Sequence, residues 1–142
     1  MNILLIMADS LVPFVTGPYG DTSAVTPNLD KLASKGTLFE NAYCNSPLCA
    51  PSRASMMTGR YVSEIGVFDN ANEFSSEWPT IPHALHAGGY ETTLIGKMHY
   101  VGHDQLHGFD QRLASKGDYS TGYTTDVFEI AYAWEKPPRG NP

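Results

Sequence analysis

The chain has 142 residues, 42% of them apolar and 17% charged, which describes one folded globular domain and excludes a disordered one. Its formal net charge is -6 and no basic stripe is present to neutralise phosphates, which argues against a nucleic-acid partner. Cys44 and Cys49 are the only cysteines, too few for a disulfide framework or a thiolate zinc site.

The opening residues, Met1 to Asp9, carry no basic leader and only a short apolar run. They predict neither a signal peptide nor a membrane span, so the cytoplasm is the default compartment. Ile3 to Met7 is aliphatic and β-branched, as expected of a strand buried on both faces of a parallel sheet. Asp9 then falls at the carboxyl end of that strand, where open α/β sheets place their ligands. A carboxylate there can hold a hard divalent cation, or equally serve as a turn or cap aspartate.

Leu11 to Val25, rich in Gly, Pro and Thr, reads as a loop. A helix follows from Thr26 to Gly36, with Thr26 as N-cap, Pro27 in the first helical position, and Leu29, Leu32 and Ala33 as a packing stripe. Thr37 to Tyr43 reads as a second strand, so the segment has the form of a parallel βαβ unit. This strand leads through Asn45-Ser46-Pro47 to Cys49-Ala50-Pro51-Ser52-Arg53. Pro51 fits a first helical turn, and Gly59 is a natural stop. Cys49 is thereby placed at a helix N-terminus, among unpaired N–H donors, with Arg53 one turn on. That arrangement suits an anion or an anionic substrate; the alternative is a small buried hydrophobe.

The long irregular run after Arg60 contains Asn70, which reads as a substrate-pocket residue or as a turn residue. Thr80 to Gly89 is a capped helix whose His83 and His86 face solvent. Glu91 to Ile95 is a strand that ends in Gly96-Lys97-Met98-His99. If that segment stays extended, Lys97 and His99 project to one face, where they could hold anionic oxygens and orient a nucleophile; the alternative is a solvated lysine and an ordinary loop histidine. Val127, Ile130, Ala131 and Trp134 fall at helical spacing and predict a last helix from Asp126 to about Trp134, capped by Thr125. Lys136 to Pro142 reads as a linker or a truncated end.

Leu-Cys-Ala-Pro-Ser-Arg-Ala-Ser with Thr58-Gly59-Arg60, followed downstream by Gly96-Lys97-Met98-His99, resembles the two signatures of the formylglycine-dependent sulfatases. The runs Gly96 to Phe109 and Val67 to Ala71 are similar to the choline-sulfatase branch in particular. His103 departs from that pattern, as does the absence of a tryptophan between Asp118 and Thr125, where Tyr123 is the nearest aromatic for a quaternary ammonium. Asp9-Ser10 likewise departs from the paired acids that many members carry.

The resemblance implies an α/β, alkaline-phosphatase-like fold: a mostly parallel sheet with helices on both faces. Only the N-terminal portion would be present, with 1–135 as part of the catalytic domain. It implies a sulfuric ester hydrolase whose Cys49 is oxidised by a maturation enzyme to formylglycine (3-oxoalanine). The aldehyde hydrate would attack sulfur, and its second hydroxyl would let sulfate leave. Arg53 and Lys97 would steady negative charge, His99 would orient the hydrate, and Asn70 and Lys97 would contact the substrate. Asp9 and Cys49 would ligate a divalent cation, calcium foremost, with magnesium or manganese as alternatives. The partners implied are a small sulfate ester and the maturation enzyme, with no nucleic acid or membrane; a homo-oligomer is left open. A phosphonate or phosphate monoester hydrolase and a catalytically inactive sulfatase-like domain are the alternatives.

Overall fold

A computed structural model describes residues 1–114 and the backbone of 128–135. Its elements are β1 (Ile3–Ala8), two single 3-10 turns (Pro13–Val15 and Gly17–Tyr19), α1 (Pro27–Ala33), α2 (Cys49–Thr58), α3 (Val62–Ile65), α4 (Ile81–Ala87), β2 (Tyr90–Ile95), β3 (Gln111–Ala114) and β4 (Phe128–Glu135). The four strands form one sheet in the order β1-β4-β2-β3. β2 runs parallel to β3 and antiparallel to β4. Among the described residues no helix is long and apolar enough to cross a membrane.

The chain divides into two compact units, one of Ala8–Tyr43 and one of Met1–Met7 with the residues from Cys44 onward. In the larger unit the core is Ala50, Ala54 and Met57 of α2, Ile65, Val67, Phe74, Leu94 of β2, Met98, Tyr100 and Phe109. Alanines at the fourth-residue spacing of α2 let its backbone approach the neighbouring elements closely. Met57 fills the remaining gap, and its burial contributes about 2 kcal/mol. Met98 and Tyr100, 3% and 2% exposed, sit on either side of His99, so the core itself anchors the loop after β2.

In the smaller unit α1 forms as expected, but Thr26 does not cap it with its side chain. Its Oγ1 instead accepts the Gly17 N–H at 2.9 Å, joining the preceding turn to the helix start. The α1 stripe is not core: Leu29 and Leu32 are exposed and, with Leu11, Tyr19 and Leu38, line an open apolar groove of about 430 Å³.

Two expected elements are absent. Thr37 to Tyr43 is irregular and forms no strand, so no βαβ unit is closed there. Phe128–Glu135 is a strand, not the helix expected from Asp126 to Trp134. Aromatic and β-branched residues favour a pleated strand, and every residue of β2 from Tyr90 to Ile95 pairs with β4, Tyr90 opposite Glu135 and Ile95 opposite Ile130. That ladder outweighs the helical spacing. Thr125, Asp126, Tyr123 and the Lys136–Pro142 segment lie outside the described residues. β1 is a strand as expected, but it is not buried on both faces: Leu4 and Ile6 are 53% and 59% exposed.

Candidate active site

Helix α2 begins at Cys49, after an extended Leu48 whose N–H donates to Ser46 Oγ at 3.3 Å. Pro51, third in the helix, has no N–H to leave unpaired. No side chain at the N-cap satisfies the first turn. Asn70 does so from 20 residues away: its Oδ1 accepts the Ala50 N–H at 2.9 Å. Asn70 is itself held in a tight turn. Asp69 Oδ1 accepts the amides of Ala71 and Asn72 at 2.8 Å, and Asn72 Oδ1 accepts those of Phe68 and Asp69 at 2.8 and 3.1 Å. At the far end Gly59 takes a left-handed φ of 68° and its N–H closes on Ser55 O at 2.8 Å, a conformation that favours glycine.

Lys97 meets Cys49 across the site. Its Nζ lies 3.6 Å from Cys49 Sγ, and the residue is 8% exposed. Beneath them Arg53, 6% exposed, donates from Nη1 to the backbone carbonyl of Lys97 at 3.1 Å. One guanidinium thus joins the helix that carries the cysteine to the loop that carries the lysine. A buried ammonium beside the first turn of a ten-residue helix suits an anionic ligand bound there, because both the ammonium and the helix end are positive.

His99 is half-buried, with a left-handed φ of 53°. The segment is therefore not a regular strand at His99, which was the condition for Lys97 and His99 to share a strand face. Gly96 adopts φ 102°, which a residue with a Cβ rarely takes. This glycine is needed to turn the chain out of β2. His83 and His86 are exposed as expected. His83 Nδ1 accepts the Thr80 N–H at 3.2 Å at the start of α4, and His86 Nδ1 lies 2.8 Å from Asp110 Oδ1.

Asp9 belongs to the smaller unit, one residue past the end of β1, where its Oδ1 accepts the Ser10 hydroxyl at 3.0 Å. It offers one hard oxygen donor of the kind a divalent cation takes. Among the described residues no group of three or more His, Cys, Asp or Glu side chains comes together to hold a metal. They fit a single ligand, not a coordination sphere.

His107 is fully buried, stacked on Phe74 at 4.2 Å between ring centroids and edge-on to Tyr100 at 4.4 Å. Neither of its ring nitrogens has a hydrogen-bond partner among the described residues. Burial pushes its pKa down, against the pull of Asp104, whose Oδ2 is 3.6 Å from Nδ1. Burial of Asp104 acts to raise its own pKa, but the amides of His107 and Leu106, both 2.9 Å from Oδ1, outweigh that and hold it below the usual carboxylate value. The spacing Asp-x-x-His is a turn signal that could have been read from the sequence.

The Sulfatase family description matches residues 1–135. The chain belongs to the Sulfatase family. Choline-sulfatase of Rhizobium meliloti is 47% identical over 135 residues, which are 94% of this chain and 24% of that protein. N-acetylglucosamine-6-O-sulfatase of Bacteroides thetaiotaomicron is 36% identical over 130 residues, 90% of this chain and 23% of that protein. In structure, this sulfatase chain is similar to BT4656 in complex with its substrate D-glucosamine-2-N,6-O-disulfate, with a TM-score of 0.63 and 37% identity over 69% of this chain and 19% of that one. The likeness supports the expected alkaline-phosphatase-like fold, N-terminal portion. The chain spans less than a quarter of the length of these curated relatives.

Proposed function

We propose that the protein hydrolyses a sulfate monoester, with Cys49 oxidised to formylglycine as the nucleophilic position. The observation that carries this is the approach of Lys97 Nζ to Cys49 Sγ, 3.6 Å, at the start of α2. When formed and hydrated, the aldehyde would supply one hydroxyl to attack sulfur as the S–O bond to the ester's alcohol breaks and the alcohol leaves, and a second whose proton is lost as the aldehyde re-forms and sulfate is released, which a single alcohol or thiol lacks. Lys97 holds a sulfate oxygen at the nucleophile, and in a site closed to water that ammonium acts far more strongly than it would in solution. Arg53 fixes the Lys97 backbone through its carbonyl and adds a second positive charge. His99 orients the nucleophile and carries a proton at a ring nitrogen. Asn70 sets the first turn of α2 through Ala50, a support for the nucleophile in addition to the substrate contact expected of it.

Pro51 and Arg53 are buried in the folded chain. A maturation enzyme that reads Cys49-Ala50-Pro51-Ser52-Arg53 therefore acts before folding. We assign Asp9 to a divalent cation, calcium foremost with magnesium and manganese as alternatives; no step above is routed through it. The likeness to choline-sulfatase makes choline sulfate the first substrate to test.

The full-length protein is assayed on sulfate and phosphonate esters of one alcohol, beside Lys97→Ala. Faster turnover of the sulfate ester supports the proposal, and faster turnover of the phosphonate ester replaces it with a phosphonate hydrolase. Lys97→Ala is expected to lower turnover about 100-fold, roughly 3 kcal/mol of lost charge stabilisation, with thermal stability kept. An unchanged turnover removes Lys97 from the site. No turnover of either ester, with Cys49 still an unmodified thiol after production with the maturation enzyme, points to an inactive sulfatase-like domain.

A further inference from the structure

Two side chains with no role in the chemistry above converge on the loop that carries Lys97 and His99. Arg112, on β3, donates from Nη2 to the Gly96 carbonyl at 2.9 Å and from Nη1 to Gln105 Oε1 at 3.3 Å. Gln105 Nε2 in turn donates to the carbonyls of Tyr100 and Gly102, each at 2.8 Å. The start, middle and end of the loop are thereby joined through one guanidinium and one amide. The Lys97 carbonyl, next to that of Gly96, is taken by Arg53, so two successive carbonyls at the exit of β2 are each held by an arginine.

This loop needs holding. It takes left-handed backbone at Gly96, His99 and Gly102, with φ 102°, 53° and 114°. A non-glycine residue in that region costs on the order of 1 kcal/mol and persists only where the surroundings fix it. Turns of this kind leave carbonyls outside any regular ladder, and each needs a donor; the Phe74 N–H takes that of Val101 at 3.1 Å. The parallel pairing of β2 with β3, Leu94 opposite Arg112, brings the guanidinium to those carbonyls. The planar fork donates to Gly96 O and Gln105 Oε1 from two different nitrogens in a fixed geometry, which the single nitrogen of an ammonium does not reproduce.

We propose that Arg112 and Gln105 are positioning residues, a clasp that sets the Gly96–Gly102 loop so that Lys97 stays on Cys49. The proposal rests on the sulfatase reading for its effect on turnover, but its effect on the loop does not depend on that reading. Neither residue touches the reacting atoms. Their influence passes through the Gly96, Tyr100 and Gly102 carbonyls to the Lys97 and His99 backbone.

The test uses the full-length protein with Arg112→Ala, Arg112→Lys and Gln105→Leu. Turnover of an aryl sulfate is normalised to the aldehyde content of the Cys49 peptide, and amide hydrogen exchange is followed over residues 96–102. Arg112→Ala is expected to lower kcat per aldehyde about ten-fold or more with KM within about three-fold, since a displacement of 1 Å in a catalytic group costs orders of magnitude in rate. Exchange over the loop speeds up, and Arg112→Lys falls between wild type and Arg112→Ala in both readouts. Gln105→Leu, which keeps the guanidinium and its bond to Gly96, serves if the arginine variants fail to fold and is expected to move both readouts the same way. Faster exchange with kcat per aldehyde unchanged would show a structural role only and overturn the positioning claim. Unchanged exchange would overturn the clasp itself. If the wild type hydrolyses no sulfate ester, the functional reading fails while the exchange data still decide whether the clasp holds the loop.

Discussion

β1 and β2 belong to one sheet and have six residues each, yet their surroundings are opposite. β1, Ile-Leu-Leu-Ile-Met-Ala, is apolar throughout, and Ile3, Leu4, Leu5 and Ile6 are 39% to 59% exposed. β2, Tyr-Glu-Thr-Thr-Leu-Ile, contains a glutamate and two threonines, and Thr92, Thr93 and Leu94 are no more than 1% exposed. Burial therefore follows the strand's place, not its composition. β2 lies between β4 and β3, with the core of α2, Met98 and Tyr100 around Leu94, while β1 ends the strand order. Threonine is tolerated inside because its polar atoms are matched. Thr92 Oγ1 donates to Asp110 Oδ2 at 3.0 Å and accepts the Asp110 N–H at 3.0 Å, and Thr93 Oγ1 accepts from Gln111 Nε2 at 2.9 Å. An exposed apolar strand at the end of a sheet is, by the same physics, a surface prone to pairing with another chain.

The sharpest break of this contrast is truncation of a leucine on each strand. Leu94→Ala is expected to cost 2–5 kcal/mol of unfolding free energy, the usual range for a buried leucine, and Leu4→Ala about 0.5 kcal/mol or less. Denaturant melts of the two variants measure the difference. Equal losses would mean that β1 is covered as well as β2. Thr92→Val is next in size. It keeps the shape, and the Asp110 amide and Oδ2 keep the Thr92 carbonyl and N–H at 3.1 and 2.7 Å, so the expected loss is that of the hydroxyl's own bonds, about 0.5–1.5 kcal/mol. A neutral result would show that matching of the polar atoms is not what permits threonine in β2.

His107 is the counter-example inside the larger unit, a buried polar ring without the partners that Thr92 has. Its folded pKa is pushed down by burial. The unfolded chain therefore binds a proton that the folded chain does not, and stability falls as pH drops below about 6.5 toward the folded pKa, by at most about 1.4 kcal/mol per pH unit. Above about 6.5 both states are neutral and the contribution is complete. Melting temperature is expected to decline on acidification through this window. His107→Phe, which keeps the stack on Phe74 without a titrating nitrogen, should flatten the decline. An equal slope in the variant would assign the acid sensitivity to another group.

Much of the site was readable because its signals are local. The helix after Cys49 carries Pro51 and a glycine stop, and the strand before Gly96 is bounded by turn residues, so both elements stand within a residue or two of where spacing puts them. The convergence of Cys49, Arg53 and Lys97 was carried by their order in the chain and by the family resemblance, not by any local rule. What failed was non-local. The helical spacing from Val127 to Trp134 cannot reveal that β2 offers a ladder, and the apolar run of β1 cannot reveal that Ile3 to Ile6 stay 39% to 59% exposed. The loop from Gly96 to Asp110 was legible as a motif but not as a structure. Its left-handed residues and the Arg112–Gln105 clasp depend on pairing between β2 and β3.

Under the proposed function Cys49, beside Lys97, works as an aldehyde and not as a thiol. The direct measurement is the mass of the peptide carrying Cys49 in full-length protein produced with and without a maturation enzyme, together with sulfate-ester turnover of each sample. Turnover is expected to rise in proportion to the aldehyde fraction and to vanish in the fully thiol sample, because a thiolate adduct has no second hydroxyl through which to release sulfate. A fully thiol sample that hydrolyses sulfate esters as fast as the aldehyde form would contradict the account.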